Sequence, residues 1–275
     1  MATMNGIDIS TWDSGLIVRN VSADFVICKA TEGTGFTDPT FRNFADQTLA
    51  CGRLLGAYHF ARSNSGPEEQ ADHFVATVKP YLGRCTLWLD WENAEGYDHA
   101  TLDQGPTWAL RWLRRVKRMT GVTPGIYTSK SVCNSYDWRQ VHAEGYPLWG
   151  AEYASMSTVY GYQARPWQSA APWGPWGKFP SIHQYTGNLA LAGTRALEFD
   201  GDIAYMTRAQ WQALASREDD DMTNEQAAML EAIFDAICRP HDASGRGKEA
   251  TVPDRLAYMA LKQEKVMDKL GVKEK

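Results

Sequence analysis

The stretch LWLDWEN, residues 87–93, places two acids, Asp90 and Glu92, one residue apart among Leu87, Trp88, Leu89 and Trp91. So apolar a run reads as a buried β-strand. An ionised carboxylate in that setting is costly unless it is paired. Residues two apart in a strand point to the same side, about 6–7 Å apart, so Trp88, Asp90 and Glu92 share one face. The acids are salt-bridge partners, metal ligands or the working groups of an enzyme.

Outward from this stretch, short apolar runs recur with helical patterns between them. Strands are expected at 4–9, 24–29, 54–59, 85–91, 123–127, 146–150, 180–184 and 196–200, and helices at 39–51, 67–79, 104–119 and 130–143. Pro67 suits a first helical turn and Gly121 a stop. Such alternation predicts a mostly parallel sheet buried on both faces. Eight strands point to a closed α/β barrel, an irregular (β/α)8-like one with fewer helices than strands. Residues 152–179 break the rhythm: they show no helical period and carry three Pro-Trp pairs. A loop of that length is usually functional, here as a cap on the barrel or a contact for ligand.

The 275 residues suit one large domain with a small appendage. We expect a barrel over 1–215, a charged linker at 216–222 and an α-helical segment over 223–275. In that segment Thr223 and Gln226 have capping-box spacing, and Leu230, Ile233, Phe234 and Ile237 form one apolar face. The tail is neutral as a unit and contains no Trp, which suits a helical hairpin that pairs with a second copy or docks on the barrel. A net charge of −5 argues against nucleic acid or an anionic membrane as partner. No apolar run approaches a membrane span, and no basic-then-apolar leader is visible. The five cysteines have no CxxC spacing, and no zinc pattern or phosphate-binding glycine loop appears, so no metal or cofactor is expected. Eleven Trp and twelve Tyr are many for this length and suit either core or a sugar-binding cleft.

The expected strand ends gather chemistry at one rim. Asp8 closes strand one; Lys29 and Glu32 follow strand two; Tyr58 and His59 close strand three. Tyr127 closes strand five, His183, Gln184 and Tyr185 strand seven, and Asp200 and Asp202 strand eight. Active sites of α/β barrels are built at that end. Two carboxylates flanking a bond are what glycoside hydrolysis requires. An anionic Asp90 disfavours ionisation of Glu92, and apolar surroundings push the same way, so Glu92 is expected to hold a proton and Asp90 to be anionic, supported by tyrosine donors.

The motifs GIDIS, FVICKATEGTGFTDPTF, GAYHF, LWLDWE, GIYTS, LWGAEY, HQYTG and FDGD, in this order over roughly 4–210, resemble the family 25 glycoside hydrolases, the Chalaropsis-type lysozymes of bacteria and phage endolysins. The resemblance implies an irregular (β/α) barrel that cleaves the β-1,4 bond between N-acetylmuramic acid and N-acetylglucosamine with retention. It implies Glu92 as the acid and Asp90 as its anionic partner, with Asp8 and Asp200 as further acids. Either the substrate's N-acetyl group or a carboxylate then serves as nucleophile. Tyr58, Tyr127, Trp149, Gln184, Lys29, Glu32 and Asp202 are expected to bind substrate. The family's last motif reads Asp-x-Asn, and Asp202 stands in the Asn place, with Asp200 favoured for the cleft. The expected partner is bacterial peptidoglycan. The endolysin reading places the enzyme in a host cytoplasm until release to the wall. Two other readings are a barrel that binds wall glycan without cleaving it, and Asp8, Asp90, Glu92 and Asp200 as ligands of a hard cation such as magnesium.

Overall fold

The computed structural model describes residues 2–63, 65–92, 105–194 and 198–217. Eight strands among them close a barrel, in the order β1 (Met4–Ile9), β10 (Glu198–Ala204), β9 (Ile182–Ala190), β7 (Leu148–Ala151), β6 (Gly125–Ser129), β5 (Cys85–Asp90), β4 (Leu54–Phe60) and β2 (Phe25–Glu32), with β2 pairing back onto β1. Two short strands, β3 (Phe36–Thr37) and β8 (Val159–Tyr160), attach outside the ring to β2 and β9. The chain divides into two compact units, Met1–Glu218 and Asp219–Lys275. The expected helical segment 223–275 lies outside the described residues, as does the expected linker beyond residue 217.

Strand alternation sorts the side chains. Met4, Phe25, Ile27, Leu54, Trp88, Tyr127, Trp149, Ile182 and Ala204 pack together inside the barrel. Ile7, Val26, Leu55, Leu87, Leu89, Ile126 and Leu148 belong to a second cluster that faces the helices. Large rings fit inside because small residues oppose them. A Cβ on Gly125 would stand 2.2 Å from the Trp88 ring, and one on Gly6 2.2 Å from that of Phe25.

Helices α1 (Phe41–Ala50), α2 (Pro67–Val78) and α3 (Pro106–Thr120) match the expected ones, with Pro67 and Pro106 in first turns and Gly121 as a left-handed cap. The expected helix 130–143 is two, α4 (Lys130–Ser135) and α5 (Arg139–Ala143). Between them Tyr136 is extended, which lets Trp138 pack edge-on against Trp91 at 5.2 Å. A sixth helix, α6 (Arg208–Ala215), falls outside the expected set, although Thr207 and Gln210 form a capping box legible in the sequence.

Three strands begin later than expected because Pro124, Pro147 and Pro180 fall at their expected starts. Proline has no N–H for the ladder, so each strand starts after it. The eighth barrel strand is Glu198–Ala204 and runs antiparallel to both neighbours, so the sheet is parallel only over the rest of the ring. Between β7 and β9 the Pro/Trp loop takes the place of a helix. Trp173 is fully buried against Gly150, where a Cβ would stand 2.4 Å from its ring. The loop is pinned by Lys130 Nζ, 2.9 Å from Glu152 and donating to the Ser169 carbonyl at 3.1 Å.

Gly125→Ala should lower stability by about 1–3 kcal/mol, because the new methyl meets both the Trp88 ring and the Pro147 carbonyl. Urea unfolding should show a lower midpoint with an unaltered slope.

Candidate active site

Asp90 is the last residue of β5 and Glu92 follows two residues later, both on the Trp88 side of the strand. Leu87, Leu89 and Trp91 point the other way, into the outer core. In the ring β5 stands diametrically opposite β10, which carries Asp200 and Asp202. Asp8 on β1 is the register partner of Asp200. Asp200 and Asp202 were expected at the C-terminal end of strand eight. Instead Asp200 lies near the start of an antiparallel one, and that reversal is what brings it to the rim where the parallel strands end. Asp202 points the same way one level deeper, opposite Gly6 and Gln184, and is 0% exposed, whereas Asp200 is partly exposed.

Gln184 is the hub of the mouth. Its Nε2 donates to Asp8 Oδ2 at 2.7 Å, and its Oε1 accepts from Tyr127 Oη at 2.8 Å and also from Tyr153 Oη. Trp149 Nε1 donates to Asp202 Oδ1 at 2.8 Å. Tyr127, Trp149, Gln184 and Asp202, expected to bind substrate, are buried in the floor of the mouth. Tyr58 is half-buried and packs edge-on against Trp149 at 6.0 Å. Lys29 lies 2.7 Å from Glu32 and over the Phe60 ring at 4.9 Å, and Arg62 reaches Glu32 at 3.5 Å. His59 and His183 leave the expected rim cluster: strand parity turns both outward, where His59 bonds Thr31 and Gln70 and His183 bonds the Glu152 carbonyl. Sequence reasoning missed Tyr153, although it stands in LWGAEY beside the quoted strand, and Asp13, whose charge acts on both Asp8 and Asp200.

Burial is the first cause that raises the pKa of all five carboxyls, Asp8, Asp90, Glu92, Asp200 and Asp202. The Glu92 charge raises Asp90 further, and the Lys29 ammonium pulls both members of the pair down. Asp90 Oδ1 is buried without a hydrogen-bond partner. Among the described residues no tyrosine donates to that oxygen, and Tyr127 gives its O–H to Gln184. Both members of the pair are thus held above the ordinary carboxylate range, burial being the first cause for each. Among the described residues no group of three or more His, Cys, Asp or Glu side chains converges as a metal site. No helix there is long and apolar enough to cross a membrane.

An acid-mouthed α/β barrel of this kind is a fold and site of sugar-bond hydrolases. Residues 7–194 match the sequence profile described as "Glycosyl hydrolases family 25", and the chain belongs to that family. It is 34% identical over 143 residues to an N,O-diacetylmuramidase of Chalaropsis sp, covering 47% of this chain and 67% of that one. It is 34% identical over 96 residues to an autolytic lysozyme of Clostridium acetobutylicum, covering 34% of this chain and only 29% of that protein's length. Its fold superposes on the bacterial lysozyme from Streptomyces coelicolor with a TM-score of 0.60 at 25% identity, over 78% of this chain and 98% of the other.

The raised pKa of Asp202 has a consequence for stability. A carboxyl that titrates higher folded than unfolded keeps its proton longer in the native state, so stability falls as pH rises from the ordinary carboxylate range toward the folded value. Asp202→Asn removes that loss while keeping an acceptor for Trp149. It should raise stability by about 1 kcal/mol or more near neutral pH and change it little at about pH 3, as read by urea midpoints at the two pH values.

Proposed function

We propose that the chain is a muramidase, hydrolysing the β-1,4 bond between N-acetylmuramic acid and N-acetylglucosamine in bacterial peptidoglycan. The observation that carries this reading is the pair at the end of β5: Glu92 at the mouth and Asp90 below it, with one buried oxygen that has no donor. An acetamido N–H of the substrate supplies a donor to the Asp90 carboxyl. Bound this way, Asp90 is stabilised as the anion and the proton of the pair rests on Glu92.

Glu92 then protonates the glycosidic oxygen as the bond to the leaving sugar breaks. The acetamido carbonyl oxygen, oriented by Asp90, attacks the anomeric carbon from the opposite face. Glu92, now a carboxylate, takes a proton from water as that water opens the cyclic intermediate, and two inversions give net retention. Asp8 and Asp200 lie across the mouth, where negative charge favours the oxocarbenium-like transition state. Relatives named lysozyme and muramidase support the substrate class.

Glu92→Gln should cut clearing of purified Gram-positive walls by about 10²–10⁴-fold, the usual contribution of a general acid. Asp90→Asn should also be strongly impaired. Turbidity loss measures both, with reducing-end release confirming the bond cut. Clearing that persists in Glu92→Gln would sink the acid assignment, and wild-type clearing abolished by EDTA would favour the metal reading. A wild type that binds walls without clearing them would be a glycan-binding barrel.

A further inference from the structure

The tryptophan surplus is mostly core: of eleven, seven are fully buried, and the two exposed ones are Trp12, at 87%, and Trp167, at 54%. Trp12 stands on the 3-10 turn Thr11–Asp13 that leaves β1 just beyond Asp8. The backbone under the ring is tied on every side. Ser10 Oγ accepts from the Trp12 N–H at 3.3 Å, Asp13 Oδ2 accepts from the Ser10 N–H at 2.9 Å, and Asp38 Oδ2 accepts from the Thr11 N–H at 2.9 Å. Asp38 is itself buried and also holds Thr40. A rigid turn thus holds an indole in water, where its apolar faces make almost no protein contact.

The turn borders the acid mouth. Four residues of chain limit Trp12 to about 15 Å from Asp8 between Cα atoms, a reach of a few sugar rings. The charge of Asp13, next to Trp12, is felt by Asp8 and by Asp200. Phe36 on β3, two residues before Asp38, is also exposed, with the Lys29 ammonium 5.7 Å from the centre of its ring.

We propose that Trp12 is a sugar platform, taking the apolar C–H face of a pyranose of the glycan strand beyond the two sugars that flank the cut bond. This rests on the muramidase reading and adds to it a subsite for chain length. An indole suits the task, since a large flat apolar face with few rotatable bonds loses little entropy on contact.

The test uses the full-length chain and soluble oligomers of alternating N-acetylglucosamine and N-acetylmuramic acid, from two to six sugars. In a Glu92→Gln background, Trp12→Ala should weaken binding of the hexasaccharide roughly tenfold, the equivalent of about 1.4 kcal/mol. The disaccharide should show no such difference, and Trp12→Phe should recover most of the loss. With Glu92 intact, the loss should fall on KM for long chains rather than on kcat. Because the ring is exposed, Trp12→Ala should keep its urea midpoint. If wild type clears walls but Trp12→Ala binds and cleaves the hexasaccharide as wild type does, the platform is refuted and the muramidase reading stands. If wild type neither binds nor cleaves any oligomer, both fall.

Discussion

Everything at the mouth of this barrel depends on carboxylates held above an apolar plug. Trp88, Tyr127 and Trp149 fill the interior below Asp8, Asp90 and Asp200, so water cannot solvate the acids from beneath. Burial then raises every one of them, and Lys29 supplies the opposing positive charge next to the Asp90–Glu92 pair. Five acids in such a place cannot all ionise. Protons are therefore held there to higher pH than on exposed carboxyls. The cost in stability is inherent in that arrangement, and the hydrogen bonds of Gln184 and Trp149 offset part of it.

The plug itself rests on strand parity and on missing side chains. Trp88 can lie across the interior because Gly125 offers no Cβ, and Phe25 because Gly6 offers none. The outer face repeats the device: Trp173 sits where a Cβ of Gly150 would be, and the Pro/Trp loop covers β7 where a regular barrel would place a helix. Glycine facing a large ring thus recurs inside the barrel and on its outer face. The ion-paired Lys130 and Glu152 fasten that loop at its base, so Tyr153, which follows directly, is delivered to Gln184.

Much of this was legible along the chain. The D-x-E pair, the period-2 faces of the strands and the two proline-initiated helices are local patterns, and local patterns survive in a sequence. Strand starts were misjudged at Pro124, Pro147 and Pro180, although the missing N–H is itself a sequence fact. Other features were not legible. The direction of β10 is a choice among pairings that differ little in local propensity, and the rim position of Asp200 depends on it. Abundant tryptophan read equally as core or as sugar platform, and only burial separates Trp149 from Trp12.

By itself, then, the sequence determined which residues of each parallel strand share a face, because backbone geometry forces alternate side chains to opposite sides. It determined a closed α/β barrel through the number and alternation of apolar runs. The tertiary structure decided who partners whom. It set Gln184 between Asp8 and two tyrosines, left Asp90 Oδ1 without a donor, and put Asp202 in the floor and Asp200 at the opening. Those are contacts between segments far apart in the chain, and their free energies exist only once the barrel has closed and excluded water from the plug.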